Sequence, residues 1–172
     1  MKCCTLALLV KVLLACVGHA QGLERPLPAV LDTAGNSVNI VAMSDTSPVI
    51  AVRFLGSMCT HCMQQLSLMK QYTQQLRALG ARVVAFSQND VSECREVSKQ
   101  YGFADDVFLL CSDADNRCSR SFGTTITERD SSITELHGLR IFLNRRVVFE
   151  HYSMTPFMDI PRLLAILSRK SH

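Results

Sequence analysis

Much of what defines this 172-residue chain is what it lacks. It has no excess of charge of one sign: 18 Lys and Arg stand against 15 Asp and Glu, a formal net charge of +3. So close a balance gives no basic surface for nucleic acid or an anionic membrane. It has no apolar run of about 20 residues, the length that spans a bilayer; the most apolar stretch, Leu6 to Ala15, is interrupted by Lys11. It has no internal repeat, low-complexity segment or linker, so its length suits one domain whose core needs no disulfide staples. It also has only one Cys-x-x-Cys. Zinc sites of that spacing usually carry a second pair, and the later cysteines, Cys94, Cys111 and Cys118, do not form one.

What is present starts with a leader. Met1-Lys2 precedes the apolar stretch, and Gly18-His19-Ala20 puts small residues where a signal peptidase reads. We therefore expect a cleaved signal peptide over residues 1–20, the alternative being an uncleaved anchor, and one domain over 21–172. Cleavage removes Lys2 and Lys11, which leaves 16 basic against 15 acidic residues and a charge of +1. It also removes Cys3, Cys4 and Cys16. The mature chain then keeps five cysteines in an oxidising, secreted or periplasmic setting, and one of them must lack an intramolecular partner.

The chemistry is concentrated in Phe54-Leu55-Gly56-Ser57-Met58-Cys59-Thr60-His61-Cys62, read as strand, turn and helix. A cysteine at a helix start meets unpaired N–H groups and the positive end of the helix dipole, and both favour thiolate over thiol. Two residues further on, a second sulfur can reach the first, so the pair can pass between dithiol and disulfide. Cys59 is the expected nucleophile and Cys62 the resolving thiol. His61, a cation or N–H donor beside Cys59, would stabilise the thiolate and make the disulfide a better oxidant; the alternative is an exposed, solvated histidine.

Around this motif, Ala29 to Val41 reads as two short strands about a Gly35-Asn36 turn. Val49 to Leu55 reads as a doubly buried central strand. A helix runs from Cys62 to Gly80 on the stripe Leu66, Met69, Thr73, Leu76 and Leu79, with Gln64, Gln65 and Lys70 on its polar side. Arg82 to Ser87 is a strand, Asp90 caps a helix to Tyr101, and Val107 to Cys111 is a strand. Asp113 starts a helix to Phe122, residues 124–135 form a polar loop, and Leu139 to Leu143 pairs with Val147 to Tyr152. Pro161 opens a last helix. Strands alternating with helices imply an α/β domain with a mixed central sheet flanked by helices.

With these elements placed, residues 27–168 resemble the thioredoxin superfamily. Within it they resemble the redoxin branch of peroxiredoxins and TlpA- and ResA-like thiol-disulfide oxidoreductases. The likeness rests on the N-terminal β-hairpin with Asp32-x-x-Gly35, on Phe54-x-x-Ser57-x-Cys59-x-x-Cys62, on Leu79 to Val84, on Asp113-x-Asp115 and on the closing hairpin. It implies a thioredoxin-like fold and an extracytoplasmic thiol-disulfide oxidoreductase without a bound cofactor. Such an enzyme exchanges electrons with protein thiols or disulfides and with a reducing or oxidising partner. Leu13-Leu14-Ala15-Cys16 also resembles a bacterial lipobox, which would lipidate Cys16 and provide the sole membrane attachment.

Departures from the family order the alternatives. Peroxiredoxins resemble one another in Pro-x-x-x-Thr-x-x-Cys; with the cysteine on Cys59, Val52 and Gly56 replace the proline and the threonine. Ser57 is the serine of the TlpA-like pattern and a possible partner of Cys59. Thiol peroxidase, an antioxidant activity, is therefore ranked second. His61 occupies the place where DsbA and protein disulfide isomerase carry histidine. Family members set a cis-proline opposite the dithiol, where this chain has the substrate-facing loop His137-Gly138-Leu139. A third reading follows: Cys59, Cys62 and His137 resemble the Cu(I) site of Sco proteins, whose cysteines are one residue further apart. Cys94 is expected to be buried, the alternative being a distant resolving cysteine. A Cys111–Cys118 disulfide requires Cα atoms within about 7 Å.

Overall fold

All five residues of the run Val49–Arg53 are buried. The two-residue period of extended chain sends them alternately to opposite sides. Ile50 and Val52 join one apolar cluster, with Phe54 beyond them, and Val49 and Ala51 join another. A strand buried this way needs helices on both faces of its sheet.

The computed structural model describes residues 27–170. The expected signal peptide and Cys16 lie outside the described residues. In chain order, β1 (Val30–Asp32) and β2 (Ser37–Val38) form a hairpin, and α1 (Ile40–Met43) is one turn. β3 (Val49–Arg53) leads through the cysteine turn into α2 (Thr60–Gln71) and α3 (Thr73–Ala78). β4 (Arg82–Ser87), α4 (Val91–Tyr101), β5 (Phe108–Ser112) and α5 (Arg117–Ser121) follow. The small pair β6 (Thr125–Thr127) and β7 (Ile133–Glu135) precedes the hairpin β8 (His137–Leu143) and β9 (Arg146–Ser153), and α6 (Ile160–Lys170) ends the chain's described part.

Seven strands make one mixed sheet in the order β2-β1-β5-β4-β3-β8-β9. β3, β4 and β5 are parallel; β1 on β5, β8 on β3 and β9 on β8 are antiparallel. One face packs against α2, α4 and α6 through Leu66, Met69, Val97, Leu163 and Leu167. The other packs against α1 and α5 through Ile40, Val41, Cys118 and Phe122. Burying an aliphatic side chain of this size contributes about 1.5–3 kcal/mol, and these two layers hold the sheet.

Several expectations are corrected. The middle strand is β4, with β3 one place beside it, because β8 and β9 lie beyond β3 on one side and four strands, β4, β5, β1 and β2, lie on the other. Ile40 and Val41 belong to a helical turn, since the Asn39 side chain accepts from the Ala42 N–H and caps it. The long helix is broken at Tyr72, where the Thr73 hydroxyl donates to the Lys70 carbonyl. Gln65 is buried, and its amide donates to the Phe157 carbonyl. Asp113 caps α5 from outside it: its carboxylate accepts from the N–H groups of Cys118 and Ser119, and the helix proper begins at Arg117. Within residues 124–135, β6 and β7 pair with Thr125 opposite Glu135. Cys111 and Cys118 are free and buried, without a disulfide, and Cys94 is likewise free and buried.

Candidate active site

Topology assembles the site. β3 runs outward to the cysteine turn, and β8 runs antiparallel beside it, so β8 begins where β3 ends. Gly138 pairs with Arg53 and Leu139 with Val52. His137 thereby meets the turn 78 positions earlier in the chain. His137, Gly138 and Leu139 are buried strand residues and not a substrate-facing loop.

Cys59 is the N-cap of α2, with its Sγ accepting from the Cys62 N–H at 3.2 Å. Cys62 is fully buried, and its Sγ accepts from the Leu55 N–H at 3.3 Å. The two sulfurs are within disulfide-bonding reach, with Cα atoms 5.2 Å apart. Cys59 retains partial exposure between exposed Met58 and Thr60. One backbone donor and a 12-residue helix aligned on its sulfur favour the Cys59 thiolate.

His137 closes the site from behind. Its Nε2 lies 3.2 Å from the Cys62 Sγ and 3.6 Å from the Cys59 Sγ. Its Nδ1 is buried and has no hydrogen-bond partner among the described residues. Burial lowers its pKa; the Ser153 and Met154 backbone raises it, and the positive charges of Arg53 and His61 lower it again. The net direction is down, toward neutral imidazole. Two sulfurs and a nitrogen within 4.8 Å of one another could hold a soft metal once the cysteines are reduced. Joined to each other, the sulfurs offer no thiolate charge.

The remaining residues divide between front and back. His61 is exposed on α2. Ser57 turns to Asn89 and not to Cys59: its N–H donates to the Asn89 Oδ1 at 3.1 Å, and the Asn89 amide donates to its hydroxyl. Gly56 has φ +106°, and a Cβ there would stand 3.0 Å from the Asn89 Oδ1. A β-branched residue is strained at that φ, so the turn itself excludes the peroxiredoxin threonine. Beside it opens a groove of about 470 Å³ lined by Ser57, Met58, Glu93, Glu96, Val97 and Tyr101.

Sequence reasoning missed the buried base of the site. Arg53, 1% exposed, donates to the Ser119 hydroxyl at 2.6 Å and to the Phe54 carbonyl, and it pairs with Glu135 at 3.2 Å. Ser119 in turn donates to Asp113 at 2.6 Å. The available signal was a lone cation inside an apolar strand, which is almost never buried unpaired.

Fold and site together define a thioredoxin-like protein of the redoxin branch, with a two-cysteine turn at the carboxyl end of a parallel strand. The model of the AhpC/TSA family matches residues 21–148, and the chain belongs to that family. No curated protein matches it by sequence. Among solved structures it is similar to peroxidoxin BcpB from Mycobacterium tuberculosis, at 16% identity and a TM-score of 0.72, over 86% of this chain and 97% of that one. It is equally similar to the bacterioferritin comigratory protein of Xanthomonas campestris, at 16% identity and TM-score 0.72 over 87% and 94%. Xylella fastidiosa PrxQ follows at 12% identity and TM-score 0.71 over 88% and 98%. At such identities the likeness is one of fold.

Proposed function

We propose that the chain is a thiol peroxidase acting outside the cytoplasm, with Cys59 as the peroxide-reactive thiolate and Cys62 as its resolving partner. The carrying observation is the buried Cys62 sulfur within bonding reach of a partly exposed Cys59 sulfur at a helix N-terminus. The Cys59 thiolate attacks the peroxide, forming an S–O bond as the O–O bond breaks, and alkoxide or hydroxide leaves. Cys62 then displaces water from the Cys59 sulfenic acid to give the disulfide. A thioredoxin-like dithiol, oxidised in exchange, restores both thiols. Family membership and the alkyl peroxide reduction named for the Xanthomonas protein support this order of readings over the one drawn from sequence.

Disulfide exchange with protein thiols is the second reading, favoured by Gly56 where the peroxide-holding threonine belongs. Both readings share the couple and differ in the oxidant. Stopped-flow oxidation of the reduced chain by hydrogen peroxide, an alkyl hydroperoxide and a small disulfide separates them. Peroxide reacting well above the rate of a free low-pKa thiol is the expected result. Reaction at that generic rate, with faster turnover of disulfides, would establish the exchange enzyme instead. In a Cys62→Ser variant the peroxidase stops at sulfenic acid on Cys59, which dimedone traps.

A further inference from the structure

We propose that His137 is the general base of the closing step, carrying the Cys62 thiol proton to the group that leaves Cys59. The proposal rests on the dithiol couple argued above and adds a catalytic residue to it. Cys62 has no exposed surface, so its proton has no direct route to water. Among the described residues, two polar groups besides the Cys59 sulfur lie within reach of its Sγ. The Leu55 N–H is a donor and can take nothing; the His137 Nε2, at 3.2 Å, can accept. The same nitrogen is 3.6 Å from the Cys59 Sγ, so it serves both ends of the transfer.

The surroundings keep it ready to accept. His137 is 5% exposed, with the backbone of Ser153 and Met154 beside its ring. In the neutral ring protonated at Nδ1, the Nε2 lone pair is bare toward the sulfurs. Its charged or titratable neighbours are Arg53 at the end of β3, His61 on α2 and the two cysteines. The Arg53 charge opposes protonation of the ring. In the step, the Cys62 S–H proton passes to Nε2 while its sulfur bonds to the Cys59 Sγ. The Cys59 S–O bond breaks, and the departing hydroxide takes the proton from the imidazolium to leave as water. One disulfide and one water form from one thiol and one sulfenic acid, with no further reactant.

A small disulfide reads this step without peroxide. A full-length chain with Cys3, Cys4 and Cys16 as serine is reduced and mixed with dithiobis(nitrobenzoate). Cys59 releases one thionitrobenzoate as it forms a mixed disulfide, and Cys62 releases the second on closing. His137→Gln sets an amide near the Nε2 position that hydrogen-bonds but does not accept a proton. At pH 7 its second phase should be slower by about a hundredfold, within the range of general-base effects. That deficit should shrink as the pH rises and hydroxide takes over the deprotonation of Cys62. A second phase at native speed, or a deficit equal at every pH, overturns the base. The native chain gives an independent reading: its closing rate should fall in acid along a limb whose pKa lies below the ordinary histidine value of 6.5. A profile bending only in the thiol range also overturns the base. Release of one equivalent or none by the native chain overturns the couple itself, and this proposal with it.

Discussion

At Gly56 one backbone angle decides against the threonine of the peroxiredoxin signature. With φ at +106°, a threonine would be held in a strained conformation with its Cβ against Asn89. Gly56→Thr is therefore expected to destabilise the fold by about 1–3 kcal/mol without raising the peroxide rate, as denaturant titration and stopped flow would show; a faster rate would mean that the hydroxyl alone was missing. His137 carries a pH dependence. Its pKa is lowered in the folded chain, so the unfolded chain binds more protons below about 6.5. Its contribution to stability is present above that pH and is lost as the pH falls toward the folded value. Urea midpoints at pH 7.5 and 5.5 should differ more for the native chain than for His137→Gln. The three buried thiols behave oppositely to Cys59. Burial pushes Cys94 and Cys111 up to about 12, and Cys118 also upward. Iodoacetamide at pH 8 should modify Cys59 alone among the described cysteines of the reduced native chain, with these three reacting only after unfolding.

Elements meet at Arg53. The alternation that sends Val49 and Ala51 toward α1 and α5 sends Arg53 there too, where Ser119, Asp113 and Glu135 surround its charge. One guanidinium thus ties the end of β3 to α5 and to β7, two residues before His137. Burial lowers its pKa while Glu135 and Asp113 raise it. Arg53→Met takes the cation away from Glu135 and the donor away from the Ser119 hydroxyl and should destabilise by about 3–5 kcal/mol, whereas adding Glu135→Gln should recover part of the loss. Equal stabilities for single and double variants in urea would show that the pair is uncoupled. Gly138 marks the other close approach: an added Cβ meets the Thr124 side chain and stands 3.0 Å from the Phe122 ring. Gly138→Ala should destabilise by about 1–3 kcal/mol, measurable in the same titration, because neither neighbour sits on a flexible surface.

Across the molecule, two apolar layers carry the stability and the dithiol adds little to it. The Cys59–Cys62 loop is so short that closing it restrains the unfolded chain by about 2 kcal/mol at most. Reduction should therefore leave a cooperative urea transition at a modestly lower midpoint; loss of the transition would show a fold dependent on the bond. The sequence by itself determined the strand-turn-helix around Cys59, the layered α/β class and most helix ends, because these follow from local periodicity and caps such as Asp90 with Glu93. Gly102, in the left-handed conformation, stops α4 where the pattern ends. It did not reveal β6 and β7, short polar strands that among the described residues form ladders only with each other, or the break at Tyr72 inside the helical stripe. Only the tertiary structure decided which distant residues meet: His137 on both sulfurs, Arg53 on Glu135, and Ser57 on Asn89. Sheet order and strand direction set those meetings, and pairing between strands some 80 residues apart leaves no mark on the periodicity of either strand.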